Sequence, residues 1–340
     1  MGSDRRTMRS PDRRVVVLGA TGFVGSAVLR LLAERAIRVR AVSRRPAVIP
    51  LGAVADVEVF PADLAEQGAM AEVLEGADAV IHTVAHISGS STWRIGDDDA
   101  LAERVNVGLI RDLVSAAGSR QVAEPLNVVF AGAMSQIGAH DGDVVDGSED
   151  DCPCDEYGRQ KLAAERTLLS AVTDGLLRGT SLRLPTMYGY GPASSALDKG
   201  VVSTMVRRAV AGEPLTMWHD GTVRRDLTYV EDAAAALVAA AEQVPVLSGR
   251  RFVLGTGHSV PLGSVFRTVA TLVAQRTGSP PVEVVAVPPP DYAEASDFRS
   301  ITIDASAFRA ATGWRPMVTL DEGLRRTVDF CVAGGEAALR

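Results

Sequence analysis

Residues 15–25 read Val15-Val16-Val17-Leu18-Gly19-Ala20-Thr21-Gly22-Phe23-Val24-Gly25. The apolar run ending at Leu18 predicts a buried strand, the glycines a tight turn, and the apolar spacing of 23–34 a helix. Glycine lets the backbone approach a pyrophosphate closely, and the free amides at a helix start attract its negative charge. The spacing departs from GxGxxG, but strand, turn and helix follow in the order that dinucleotide binding requires. Gly19, Thr21, Gly22, Phe23, Val24 and Gly25 are therefore candidate cofactor contacts, with turn formation and packing as the alternative reading of the glycines.

Outward from this unit the alternation continues. Strands are expected at Val39–Val42, Val57–Phe60, Ala79–Ile81, Val128–Phe130 and Ser181–Leu184, with helices near 67–74, 99–117 and 157–169. Continuous apolar strands separated by helices predict an α/β fold, a Rossmann-type parallel sheet covered on both faces. Residues 137–155 are polar and glycine-containing and read as an active-site loop or exposed connection. Beyond Pro185 the alternation weakens: helices are expected near 201–211, 231–242, 262–276 and 320–332, with extended pieces at 252–254 and 282–287. The expected organisation is a flexible tail at 1–12, a mainly cofactor-binding domain at 13–185 and a smaller, mainly substrate-binding domain at 186–340, with elements that can return to the first.

An acidic residue at the end of the second strand would favour the ribose hydroxyls of NAD. Ser43-Arg44-Arg45 stands there instead, and guanidinium groups suit the added phosphate of NADP, so NADPH/NADP+ is the expected cofactor. A solvated basic turn is the competing reading. Asp63, after the third strand, is a candidate contact for the adenine-ribose end or else starts a helix.

The 340 residues carry 35 Lys plus Arg against 42 Asp plus Glu, a formal charge of −7 that argues against nucleic acid as partner. Cys152, Cys154 and Cys331 give no disulfide framework; Cys152-Pro153-Cys154 could be redox-active or metal-binding, but structural or incidental thiols are the favoured reading and no metal is expected. No signal-peptide core or membrane-length apolar run is evident, so a cytoplasmic location is the default.

Tyr157 and Lys161 lie one helical turn apart and can face one cleft. A tyrosine hydroxyl can protonate a carbonyl oxygen as hydride arrives, and a nearby ammonium favours the phenolate left behind. Such a pair also arises by chance; the dinucleotide signal upstream makes catalysis the better reading.

With these motifs in order, the chain resembles the extended short-chain dehydrogenase/reductases over residues 13–334, particularly reductases of nucleotide-linked 4-keto-6-deoxyhexoses. The glycine turn, Asp63, Asn106 in VNVGLIRDLVSAA, YGRQK, LRLPTMYGYGP at 182–192 and RRDLTYVEDAA at 224–234 carry the resemblance. It implies NADP and a nucleotide sugar, the dTDP form above others, and a homodimer.

By the same resemblance Asn106 belongs to the cofactor site and orients Lys161, with a helix-surface hydrogen bond as its alternative. The resemblance likewise implies that Arg225 contacts the diphosphate, with Arg224 as a less secure neighbour and a surface ion pair as the alternative for either, and that Thr186 contacts sugar or diphosphate. Tyr188 is read as part of the same wall or as packing. His82, His86 and Trp93 are candidate sugar contacts without a metal signature. The usual catalytic serine or threonine position falls on Ala133; Ser135, two residues on, is the candidate carbonyl donor, with turn stabilisation as its alternative. No arginine securely matches the family's carboxyl-terminal diphosphate contact, although Arg299 lies nearby.

Related 4,6-dehydratases place an Asp-Glu pair where this chain has Met134-Ser135, which cannot supply carboxylate chemistry. The expectation is NADPH-dependent C4 ketoreduction. An NAD-dependent nucleotide-sugar 4-epimerase and a non-catalytic NADP-binding regulator remain as alternatives.

Overall fold

The computed structural model describes residues 11–87, 95, 99–121, 124–138, 140–191, 194, 198–218, 220–290, 293 and 295–334. Of the expected tail only residues 11 and 12 are among them.

Seven parallel strands form the main sheet: β1 (Arg14–Leu18), β2 (Arg38–Ser43), β3 (Asp56–Pro61), β4 (Ala79–His82), β5 (Asn127–Ala133), β6 (Arg178–Leu184) and β7 (Arg251–Val253). Their spatial order is β7-β6-β5-β4-β1-β2-β3, so the order reverses between β1 and β4. In an open parallel sheet that reversal leaves a crevice at the carboxyl ends of the strands. The α/β Rossmann architecture expected from the sequence is the one found.

Strands β1, β4 and β5 are buried almost throughout, which accounts for their unbroken apolar sequences, whereas the edge strand β3 is partly exposed. Helix α1 (Phe23–Ala33) covers one face, where Leu29 and Leu32 pack with Val15, Val17 and Ile81. Helices α2 (Leu109–Gly118) and α3 (Glu156–Thr173) cover the other, where Ile110 and Leu168 pack with Val16, Val80 and Val128.

The helix expected over 99–117 is broken by a π turn at Arg104–Gly108. Asn106, inside that turn, is held by side-chain bonds that regular winding would not guarantee. Part of the polar stretch 137–155 also becomes ordered: Val144–Val145 pairs in parallel with Thr302–Ile303.

The later elements are α4 (Val201–Val210), α5 (Val230–Glu242), α6 (Leu262–Thr277) and α7 (Leu320–Val332). Apolar residues of α4, α6 and α7, including Val206, Phe266 and Leu324, share a separate core with Tyr188 and Tyr229. In contrast, α5 packs beside α1, and β7 extends the main sheet next to β6. The chain thus returns to the sheet after leaving it.

Candidate active site

Beyond Leu18 the chain turns at Gly19, whose φ of +88° lies where glycine is at ease. The Gly19 and Ala20 amides donate to Val42 O at 2.9 and 3.0 Å, anchoring the turn to β2. A Cβ on Gly25 would stand 2.0 Å from Gly19 O, so the third glycine is required for the helix to lie against the turn. Gly22 caps α1 without a side-chain hydrogen bond, leaving this helix start for an external anion. The geometry fits a dinucleotide pyrophosphate. Phe23 and Val24 then line the adjoining cleft, while the Thr21 carbonyl accepts from Ser194 Oγ at 3.2 Å.

At the end of β2, Ser43 is buried and its Oγ donates to Arg45 O at 2.7 Å, shaping the basic turn. Arg44 and Arg45 are exposed, and neither is in an ion pair among the described residues. Asp63 is exposed too; its Oδ1 accepts from Ala65 N at 3.0 Å, a turn-forming role at the position proposed for a ribose contact.

The cleft holds about 710 Å³ and opens at the carboxyl end of the sheet. Ala131, Gly132, Ala133, Met134 and Ser135 supply one wall, Tyr157 and Lys161 the adjacent one, and Pro185, Thr186 and Met187 continue it. Gln136 shapes the Ser135 turn by accepting from Ala133 N at 2.7 Å. Asp155 caps α3 by accepting from Gly158 N at 2.6 Å. A Cβ on Gly158 would approach Ser135 O to 2.5 Å, so glycine allows α3 to sit directly on the Ser135 turn. Ser135 Oγ is buried with no hydrogen-bond partner among the described residues and belongs to the cleft lining.

Burial, followed by the Asp155 charge, pushes the Tyr157 phenol above its usual range, so it keeps its proton at neutral pH. Burial pushes the Lys161 ammonium down to about 7, while Glu165 opposes that fall. Asn106 does not line the cleft. Its Oδ1 accepts from His86 N at 2.7 Å, and its Nδ2 donates to His86 O and Gln160 Oε1, both at 2.9 Å. It ties the loop after β4 to the residue before Lys161.

Arg225 lines the cleft, but its guanidinium also donates to the carbonyls of Arg224, Asp297 and Arg299. Burial lowers its pKa, with Asp297 opposing. Arg224 is exposed and bonds Ser259. Tyr188 is a packing residue: it is 1% exposed, donates to Leu320 O, and meets Tyr229 edge to face. His82 is buried among Phe130 and its neighbours, His86 Nε2 lies 3.8 Å from Asp99 Oδ2, and Trp93 falls outside the described residues.

Sequence reading missed the facing wall, formed by Asp198, Lys199, Arg208, Met217, Trp218 and Phe298. One signal was available. Lys161 and Lys199 are the only lysines in the chain, every other basic side chain of the Lys/Arg class being arginine. Both lysines line this cleft.

A family model described as "NAD dependent epimerase/dehydratase family" matches residues 15–255. The chain is 29% identical over 321 residues to a dTDP-6-deoxy-L-talose 4-dehydrogenase (NAD(P)(+)) of Kitasatospora kifunensis, covering 92% of this chain and 93% of that one. It is 25% identical to a dTDP-L-rhamnose 4-epimerase of Burkholderia thailandensis, covering 95% and 96%. Among solved structures, MoeE5 in complex with UDP-glucose and NAD superposes with a TM-score of 0.77 at 29% identity, covering 94% of this chain and 99% of that one.

Proposed function

The chain belongs to the NAD dependent epimerase/dehydratase family, and from that membership we propose that it reduces the C4 ketone of a nucleotide-linked 4-keto-6-deoxyhexose with NADPH. The observation that supports this reading best is the meeting of Tyr157, Lys161 and the unpartnered Ser135 hydroxyl on one cleft. The similarity to a dTDP-6-deoxysugar 4-dehydrogenase supports the C4 position and the dTDP form.

NADPH would supply hydride to the carbonyl carbon. Tyr157 donates its phenolic proton to the carbonyl oxygen, and Ser135 Oγ donates a hydrogen bond to that oxygen. The Lys161 ammonium stabilises the phenolate that Tyr157 becomes. Gly19 through Gly25 hold the cofactor pyrophosphate, and Arg44 and Arg45 meet its additional phosphate. Asn106 acts on this machinery from behind, by fixing the Lys161 helix. Thr186, Lys199, Arg208 and Arg225 face the sugar diphosphate, so binding energy far from C4 positions the ketone.

The test supplies NADPH and a dTDP-4-keto-6-deoxyhexose, follows cofactor oxidation and identifies the product. Stoichiometric oxidation with a new C4 hydroxyl is the expected result; no oxidation across dTDP and UDP keto-sugars would defeat the reading. The similarity to a dTDP-sugar 4-epimerase supports a second reading, in which two nucleotide sugars interconvert without net cofactor consumption.

A further inference from the structure

Glu165 lies one helical turn beyond Lys161 on α3 and is 1% exposed. Its carboxylate accepts from Ser181 Oγ at 2.5 Å, Arg183 Nε at 3.2 Å and Arg183 Nη2 at 2.5 Å. Arg183, itself 0% exposed, continues to Asp151, whose Oδ1 lies 2.7 Å from Arg183 Nη1. The chain Asp151–Arg183–Glu165 therefore joins the loop before α3, strand β6 and α3, the segments that surround Tyr157 and Lys161.

Arg183 is shared between the two carboxylates, and Glu165 is the one carried by α3 itself, one turn from the buried Lys161. Arg251 and Arg166 also approach Asp151, at 3.1 and 3.9 Å, and add positive charge at the Asp151 end of the chain. The other groups around Lys161 add no negative charge: Tyr157 keeps its proton, His82 from β4 is buried and neutral, and Phe130 from β5 presents its ring.

We propose that Glu165 is the counter-ion of Lys161, a positioning residue whose carboxylate, held in place by Arg183 and Ser181, keeps the cleft lysine an ammonium. A buried ammonium without such a partner would shed its proton to escape desolvation. The Coulombic support that Glu165 gives against the desolvation of Lys161 agrees with this placement. The proposal rests on the reading of Lys161 as the cation beside Tyr157, but its test needs no substrate.

Because the chain has two lysines, protein labelled with 15N-lysine gives two side-chain titrations, assigned with Lys199→Arg. Glu165→Gln is expected to lower the Lys161 midpoint by about one to two pH units, with Lys199 unmoved. A merely structural role would do the reverse: loosening admits water and raises the midpoint toward that of a free lysine. If Glu165→Gln alone does not fold, Glu165→Gln with Arg183→Gln removes the stranded guanidinium and retains hydrogen-bonding groups. Its Lys161 midpoint should still fall, by less, because an opposing positive charge has also gone. An unchanged or raised midpoint in whichever variant folds overturns the proposal. Failure of ketoreduction in the separate substrate assay would leave this result standing.

Discussion

The Lys161 ammonium stands 4.2 Å from the centroid of the Phe130 ring, so a residue of β5 offers its π face to the cation of α3. Burial nevertheless brings Lys161 to about 7, while Tyr157 remains protonated well above neutrality. Reduction requires both protons in place. We therefore expect kcat/KM for ketone reduction to hold below pH 7 and fall about tenfold per unit above it, following loss of the ammonium. A flat profile to pH 9 would refute that assignment.

Tyr157→Phe keeps the ring and removes the acid. Hydride transfer should fall by about 100-fold or more while nucleotide-sugar affinity changes little, as single-turnover cofactor oxidation and equilibrium binding can show. Lys161→Met should reduce both hydride transfer and cofactor affinity. Equal single-turnover rates for Tyr157→Phe and wild type would exclude the tyrosine as proton donor.

Arg44 and Arg45 are exposed beside the turn closed by Ser43. Neutralising both should weaken NADPH binding by about 10- to 100-fold and leave NADH binding nearly unchanged, since one charge-assisted phosphate contact is worth about 1.5–3 kcal/mol. The contrast should shrink at high salt. Equal losses for the two cofactors would remove these arginines from the specificity argument.

Arg225→Lys retains the charge but not the fork that reaches the carbonyls of Asp297 and Arg299. Nucleotide-sugar affinity is expected to drop about tenfold or more, with NADPH affinity retained. Calorimetry with each ligand separates the two, and an unchanged sugar Kd would contradict a diphosphate role.

His82 tests the core itself. Burial, with Lys161 adding to it, lowers this imidazole from 6.5 to about 3, and neither ring nitrogen bonds another of the described residues. The unfolded state therefore binds the extra proton between those values, so stability is full above pH 6.5 and lost as pH falls toward 3. At pH 5 the loss is about 2 kcal/mol. Urea unfolding of His82→Leu should show a shallower acid slope than wild type; parallel slopes would show that His82 is not responsible.

Much of the sheet was legible because central parallel strands need side chains that suit two buried faces. Val15–Leu18 and Val128–Phe130 announce this in a few residues, and Gly19, Gly22 and Gly25 announce the turn through what they lack. Tyr157 and Lys161 were readable because one helix carries both. The facing wall was not, since Lys199, Trp218 and Phe298 come from separate segments whose approach depends on tertiary folding. Asn106 shows another limit: its residue type marks it, but only the π turn and its bonds to His86 and Gln160 reveal that it supports the helix instead of lining the cleft.

The placement of both lysines in one cleft also gives the molecule an unusual chemical map. Acylating reagents directed at primary side-chain amines have no lysine to consume on the outer surface, where Lys/Arg-type charge is carried by guanidinium groups. Apart from a terminal amine, such a reagent reports on the cleft alone. Random amine coupling to a solid support would therefore tend to obstruct ligand entry, and protection from acylation could serve as a direct measure of occupancy.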